Sequence, residues 1–219
     1  MAKVKAYIYP LRLYRYRPAR NLERELRAIR EHYLWCSGFE MLNDPMEGVF
    51  ASSRRVRRAD GYHDLKAAVI HNKGRVGICS FSEVHYHELM WAHYADQFQG
   101  LCIGYSLRRL LKYLPANVEF VRMYYDEKVP MIRDDSEPPM IAAKKVLSCK
   151  NYRWLYEREW RMFASLGSIG YEKTSCVTHV YLGSRMSDND RNRVRRELAD
   201  LSIPVSDMTV SKYSISFED

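Results

Sequence analysis

The 219 residues contain no stretch approaching roughly 18 consecutive apolar positions, so no segment reads as a membrane span. The opening "MAKVKAYIYPLRLYRYR" lacks the apolar block of a secretory signal, and a soluble, cytoplasmic protein without a membrane partner is expected. The five cysteines (Cys36, Cys79, Cys102, Cys149, Cys176) are odd in number and form no CxxC pair. That excludes a disulfide framework and argues against structural zinc. GxGxxG and GxxxxGK[ST] are absent, which removes the Rossmann and P-loop readings, and there is no GxSxG elbow for a serine hydrolase. In "HYHELMWAH" (His85, His87, Glu88, His93) the position four after His87 is Trp91, so the HExxH zinc helix fails and no metal is expected.

What is present is an aromatic, basic chain. Hydrophobic residues make up 47% and aromatics 13%, which is enough for a packed core and excludes intrinsic disorder. Seventeen tyrosines suit surfaces with one apolar and one polar edge. The net charge of +8 favours phosphate-bearing partners. Much of the excess lies in "SRRVRR" (53–58) and "RNRVRREL" (191–198), each readable as a solvated face or as a nucleic-acid contact. The length and the lack of a strong linker indicate a single domain, 1–219.

Periodicity predicts a strand through "YIYPLRLYRYR" (7–17), with Leu11, Leu13, Arg15 and Arg17 on one face. A helix capped by Asn21 follows. Strands are expected at "YLWCS", 75–82, 100–106, "NVEFVRMYYDE", "EWRMFAS", "CVTHVYLG" and "TVSKYSISF". Helices are expected at 64–72, 85–96, "LRRLLKYL", "MIAAKKVLSC" and 187–200. The order predicts an α+β fold, a mostly antiparallel sheet flanked by helices.

Three features suggest chemistry. Arg15 or Arg17 ends the first strand, and a guanidinium grips phosphate bidentately. Ser80 and Ser82 share a strand face. Glu157 and Glu159 would share a face if that segment is extended, and Trp154 and Trp160 would wall a cleft around them. Arg161 would hold Glu47 or Asp44, fixing the Asn43-Asp44-Pro45 loop, while His93 and Tyr94 line a pocket beside Trp91. A carboxylate with hydroxyls and a guanidinium suits cleavage of an N-glycosidic bond, where positive charge develops on the sugar. The alternating charges of 157–161 equally read as a salt-bridge ladder.

"LYRYRP", "LWCSGFEMLNDPMEG", "ICSFSE", "LMWAHYADQFQGLCIGY", "WLYEREWR" and "VYLGSRMSDND", in this order, resemble the bacterial domain-of-unknown-function 2971 family over residues 11–217. More weakly, "LYRYR", "SFS" and "ERE" resemble the arginine, Ser-x-Ser and Glu-x-Glu elements of the ADP-ribosyltransferase superfamily. That likeness implies NAD as co-substrate, with Arg15 at its phosphates, Ser80 and Ser82 at the nicotinamide and Glu159 as the catalytic carboxylate. It also implies a nucleic-acid or protein acceptor, a toxin or phage-defence role and a neutralising partner. The phenylalanine of Ser80-Phe81-Ser82 and the long insert before Glu157 depart from that pattern. The alternative is a nucleic-acid-binding or nuclease-like module contacting its ligand through Arg191, Arg193, Arg195 and Arg196.

Overall fold

The computed structural model describes residues 9–218. In chain order its strands are β1 (Arg12–Arg17), β2 (Tyr33–Cys36), β3 (Ala51–Ser52), β4 (Gly77–Ser82), β5 (Leu101–Ser106), β6 (Glu119–Arg122), β7 (Tyr124–Asp126), β8 (Met131–Ile132), β9 (Cys149–Asn151), β10 (Glu159–Ala164), β11 (Gly167–Gly170), β12 (Val177–Leu182), β13 (Val205–Ser211) and β14 (Ser214–Glu218). The helices are α1 (Leu22–Arg30), α2 (Arg54–Arg57), α3 (Tyr62–Arg75), α4 (Glu88–Tyr94), α5 (Leu107–Tyr113), α6 (Pro139–Val146) and α7 (Asp188–Leu198). The fold is α+β on an eight-stranded, mostly antiparallel mixed sheet, as the element order predicts. The chain divides into two compact units, each assembled from separate segments.

The first unit comprises Met1–His32, Ser82–Leu114 and Tyr171–Asp219. Its strands run β14-β13-β12-β5-β1. β5, read as a buried run, is covered along almost its whole length. β12 and β13 are parallel, and α7 supplies the crossover that parallel neighbours require. Leu22, Leu26 and Ile29 bury one stripe of α1; Asn21 stands at its N-cap, but its side chain makes no capping bond. Ser187 does cap α7, its Oγ accepting from Asp190 N at 3.1 Å.

Two predicted elements are cut differently in this unit. "TVSKYSISF" is a hairpin, β13 and β14, because Lys212 and Tyr213 take φ of 47° and 62°, the two-residue turn that matches strand twist. The helix expected over 85–96 begins only at Glu88. His85 lies before it, its ring stacked on Tyr181 at 4.3 Å and its carbonyl accepting from Trp91 Nε1. After α4, Asp96, Gln97 and Phe98 are all left-handed, and Gly100 and Gly183 close onto this turn. A Cβ at either glycine would meet a backbone oxygen at 2.1 Å, Arg17 O or Phe98 O respectively. Only glycine allows that approach. The strand predicted from residue 7 starts at Arg12; residues 7 and 8 lie outside the described residues.

The second unit comprises Tyr33–Phe81 and Pro115–Gly170. Its share of the sheet runs β4-β10-β6, and the smaller pairs β2–β11, β3–β8 and β7–β9 surround it. Val56, Val69, Ala142 and Ala143 join α2, α3 and α6 in one core, and Val76, Ile78, Leu147 and Phe163 form another. "NVEFVRMYYDE" is two strands, with Met123 N turned to Glu159 O between them. β11 has no counterpart among the predicted strands; its glycines and short length give almost no periodic signal.

Candidate functional site

Two groups of charged residues, one in each unit, are candidates. In the second unit Glu157 and Glu159 do converge, by a different route from the one predicted. Glu157 ends a 3₁₀ helix (Tyr152–Glu157), Glu159 opens β10, and Arg158 between them is left-handed at φ 45°. That residue, rather than an extended pleat, turns both carboxylates onto Lys150, whose Nζ donates to Glu157 at 2.6 Å and to Glu159 at 3.2 Å. Arg161 is fully buried; its Nε donates to Glu159 Oε1 at 2.8 Å, Nη1 to Leu147 O at 2.7 Å and Nη2 to Glu47 Oε1 at 2.7 Å. Of the two carboxylates offered to Arg161, the structure thus selects Glu47. Asp44 instead accepts from Met46 N at 2.9 Å, holding the turn that carries Glu47, while Asn43 is exposed.

Ser80 hydrogen-bonds Glu159. Burial raises the Glu159 pKa, but Arg161 and Lys150, with hydrogen bonds from Arg161 and Ser80, outweigh it and hold the carboxyl at about 2. The guanidinium of Arg161 is driven the other way: burial lowers its pKa, and Glu159 and Glu47 more than reverse that. Trp154 covers Lys150, with Nζ 5.0 Å from the ring. Trp160 alternates onto the opposite face of β10 from Glu159 and Arg161, so the two tryptophans do not wall one cleft. Glu47 Oε2 is the buried cluster oxygen without a hydrogen-bond partner.

The other predicted binding residues fall in the first unit. Arg15 and Arg17 share a face, as alternation requires, and both act on Glu25 of α1: Arg17 reaches it at 2.7 Å, and burial's upward push on its pKa is overcome by Arg17 and Arg15. Ser82 is buried and accepts from Val84 N at 3.2 Å. Trp91 is fully buried, edge-on to Tyr16 at 5.3 Å, which leaves it no face for a ligand. His93 is exposed and Tyr94 half-buried beside it. His85 is held neutral in its aromatic stack, its pKa lowered to about 4 by burial, then by His179 and Arg12.

The first unit also holds an open groove of about 940 Å³ that sequence reasoning missed. Arg12 enters it from the start of β1, and Arg108, Arg109 and Lys112 from α5. All four are exposed, and among the described residues no carboxylate lines the groove. Among the described residues none of the four makes an ion pair. Arg109 Nη1 donates to Ser175 O at 2.6 Å, tying α5 to the turn before β12. The facing wall carries hydroxyls: Thr174, whose Oγ1 lies 2.5 Å from His32 Nε2, Ser175, and Thr178 at a bulge in β12. The buried Thr178 hydroxyl has no partner among the described residues.

The patch at 191–196 behaves otherwise. Arg191 and Arg195 both hold Asp207, and Arg193 holds Glu197 at 2.9 Å. Three of the run's four arginines are thus ion-paired, two of them sharing Asp207, and Arg196 is exposed without an ion pair among the described residues.

Residues 90–162 match a family model described as "Protein of unknown function (DUF2971)". The resemblance read from the sequence motifs is borne out over this stretch, and it brings no activity with it. The matched stretch contains Lys150, Glu157, Glu159 and Arg161, as well as α5 with its three groove cations; Glu47, Ser80 and Arg12 lie outside it. No curated protein and no solved structure matches the chain. Among the described residues no group of three or more His, Cys, Asp or Glu is disposed to hold a metal, and no helix is long and apolar enough to cross a membrane.

Lys150, the cation on which both glutamates converge, is the other residue missed. "SCKNY" offers only a lone lysine in a mixed run, without periodicity to mark it as buried. The signal available for the groove was the "LRRLLKYL" helix, which has cations at i and i+4 and no acidic residue to pair them.

Proposed function

We propose that this chain is a nucleic-acid-binding module, and that the groove of the first unit is its contact surface. One observation carries the reading: four exposed cations line a concave surface with no carboxylate among the described residues, while three of the four arginines of α7 are paired internally. Such a surface lowers the free energy of a polyanion, and phosphates are the ligands that guanidinium forks bind bidentately.

A transferase using NAD is the second reading, supported by the Ser80–Glu159 hydrogen bond and by the Glu159 carboxyl that Arg161 and Lys150 hold well below the usual carboxylate range. Against it stands saturation. Both Glu159 oxygens are occupied by Arg161 and Lys150, and the side chain is buried, so it lacks a free lone pair for a ribose. The unpartnered oxygen belongs to Glu47.

Fluorescence anisotropy with a labelled oligonucleotide tests the first reading. Binding should weaken in the Arg108→Ala/Lys112→Ala variant and persist in Glu159→Gln. Incubating the same proteins with labelled NAD and cell-extract nucleic acid tests the second. Nicotinamide release lost in Glu159→Gln, without groove-dependent binding, would reverse the order of the two.

A further inference from the structure

We infer that the groove takes a single nucleic-acid strand through its sugar–phosphate backbone, indifferent to base sequence. This rests on the nucleic-acid reading above. Three features of the groove narrow the ligand.

The first is size. A volume of about 940 Å³ is at the upper end of ordinary ligand pockets, about 300–1,000 Å³, and accommodates a few nucleotides of one strand. A duplex is a convex rod about 20 Å across, too wide to enter a groove of this volume, and it would meet the exposed cations only from outside. A single strand lying along the groove meets the cations and the hydroxyls of Thr174, Ser175 and Ser202 at once.

The second is the side-chain vocabulary. Reading bases by hydrogen bonds uses Asn or Gln for adenine, Asp or Glu for cytosine, and Arg or Lys for guanine. Among the described residues the groove is lined by none of the first four types. Its guanidinium and ammonium groups meet either phosphate or guanine, and those engaged on phosphates carry no sequence information.

The third is the scarcity of aromatics. Tyr113 is the aromatic residue of the lining, with Lys112 Nζ 5.1 Å from its ring. Non-specific single-strand proteins commonly stack successive bases on aromatic platforms. One tyrosine supports at most one stacked base, so phosphate contacts dominate and affinity depends strongly on salt. Hydroxyls that contact the sugar could distinguish RNA from DNA through the ribose 2′-OH, and the probes below separate those sources.

The experiment titrates the full chain into labelled U10, dT10, a mixed-sequence RNA 10-mer and a blunt 20-base-pair duplex, at four salt concentrations. With four phosphates neutralised, log K against log salt should have a slope of about −3 for the single strands. The two RNA sequences should bind within about threefold of each other and the duplex at least about tenfold more weakly, as expected when base edges go unread. Arg108→Ala/Lys112→Ala should bring the slope to about −1.5. Arg193→Ala, in the internally paired helix, should leave it unchanged. U10 against dT10 reports whether the sugar is sensed. A duplex bound as tightly as the single strands, or a preference of tenfold or more between the RNA sequences, overturns the inference while leaving nucleic-acid binding intact. No binding to any probe overturns both.

Discussion

In the second unit, Glu47, Lys150, Glu157, Glu159 and Arg161 are withdrawn from water, and each cation meets at least two carboxylates. In the first unit, Arg12, Arg108, Arg109 and Lys112 stay in water and meet none. The residue types are the same and the chemistry is opposite. A buried charge is tolerable only when its hydrogen-bonding capacity is filled from within the protein, and a filled group has little left for a ligand. The "EREWR" cluster therefore locks the 44–48 turn, the end of α6 and β10 together. The groove's cations stay exposed and make no ion pair among the described residues.

The largest effect that would break this comparison is at Arg161. Arg161→Met leaves the buried Glu47, Glu157 and Glu159 with Lys150 as their one remaining cation in the cluster, and the expected loss is about 3–5 kcal/mol of stability in urea unfolding. A loss under about 1 kcal/mol would mean that the cluster is wetter and less essential than its geometry indicates.

Next in size is the groove. Arg108→Ala/Lys112→Ala should change stability by no more than about 0.5 kcal/mol, since both side chains are exposed. Raising salt from 50 to 200 mM should weaken wild-type binding about 50-fold and the variant only about 8-fold. Equal salt sensitivity would place the phosphate contacts elsewhere.

A smaller effect concerns acid. The Glu159 pKa is depressed in the folded protein to about 2, so its contribution is complete above the ordinary carboxylate value near 4.3. It is lost as pH falls from there toward 2. Stability measured between pH 5 and 2.5 should fall less steeply in Glu159→Gln than in wild type. Parallel curves would show that this carboxylate is not the group that titrates. The smallest effect is at Arg193→Ala, expected to move neither binding nor stability by more than about 0.5 kcal/mol, because a surface i,i+4 pair contributes little.

Much of the fold was legible because its strands and helices carry their own period. β5 and α1 announce themselves through continuous apolar and 3.6-residue patterns. Elements set by a single left-handed residue were not. The β13–β14 turn depends on Lys212 and Tyr213, and the convergence of Glu157 with Glu159 depends on Arg158; none of these residue types advertises a positive φ. At the charged cluster the sequence supplied Glu157, Glu159, Arg161 and Glu47, because two carboxylates and two arginines beside indoles are conspicuous. It hid Lys150, only seven residues before Glu157, because a lone lysine in "SCKNY" carries no periodic sign of burial. The groove was hidden for a different reason: Arg12, α5, the 174–178 turn and the 201–204 loop are far apart in sequence, and only the fold brings them together. The arginine run at 191–196 drew attention that its pairing with Asp207 and Glu197 does not reward.

The most direct test of the comparison is a ¹H–¹⁵N NMR titration of the uniformly labelled chain with U10. The account predicts shift changes at residues 106–113, 174–178 and 201–204, with Glu47, Lys150, Glu157, Glu159 and Arg161 unmoved. Perturbations centred on those five residues, with the groove silent, would contradict it and return the buried glutamates to the active role.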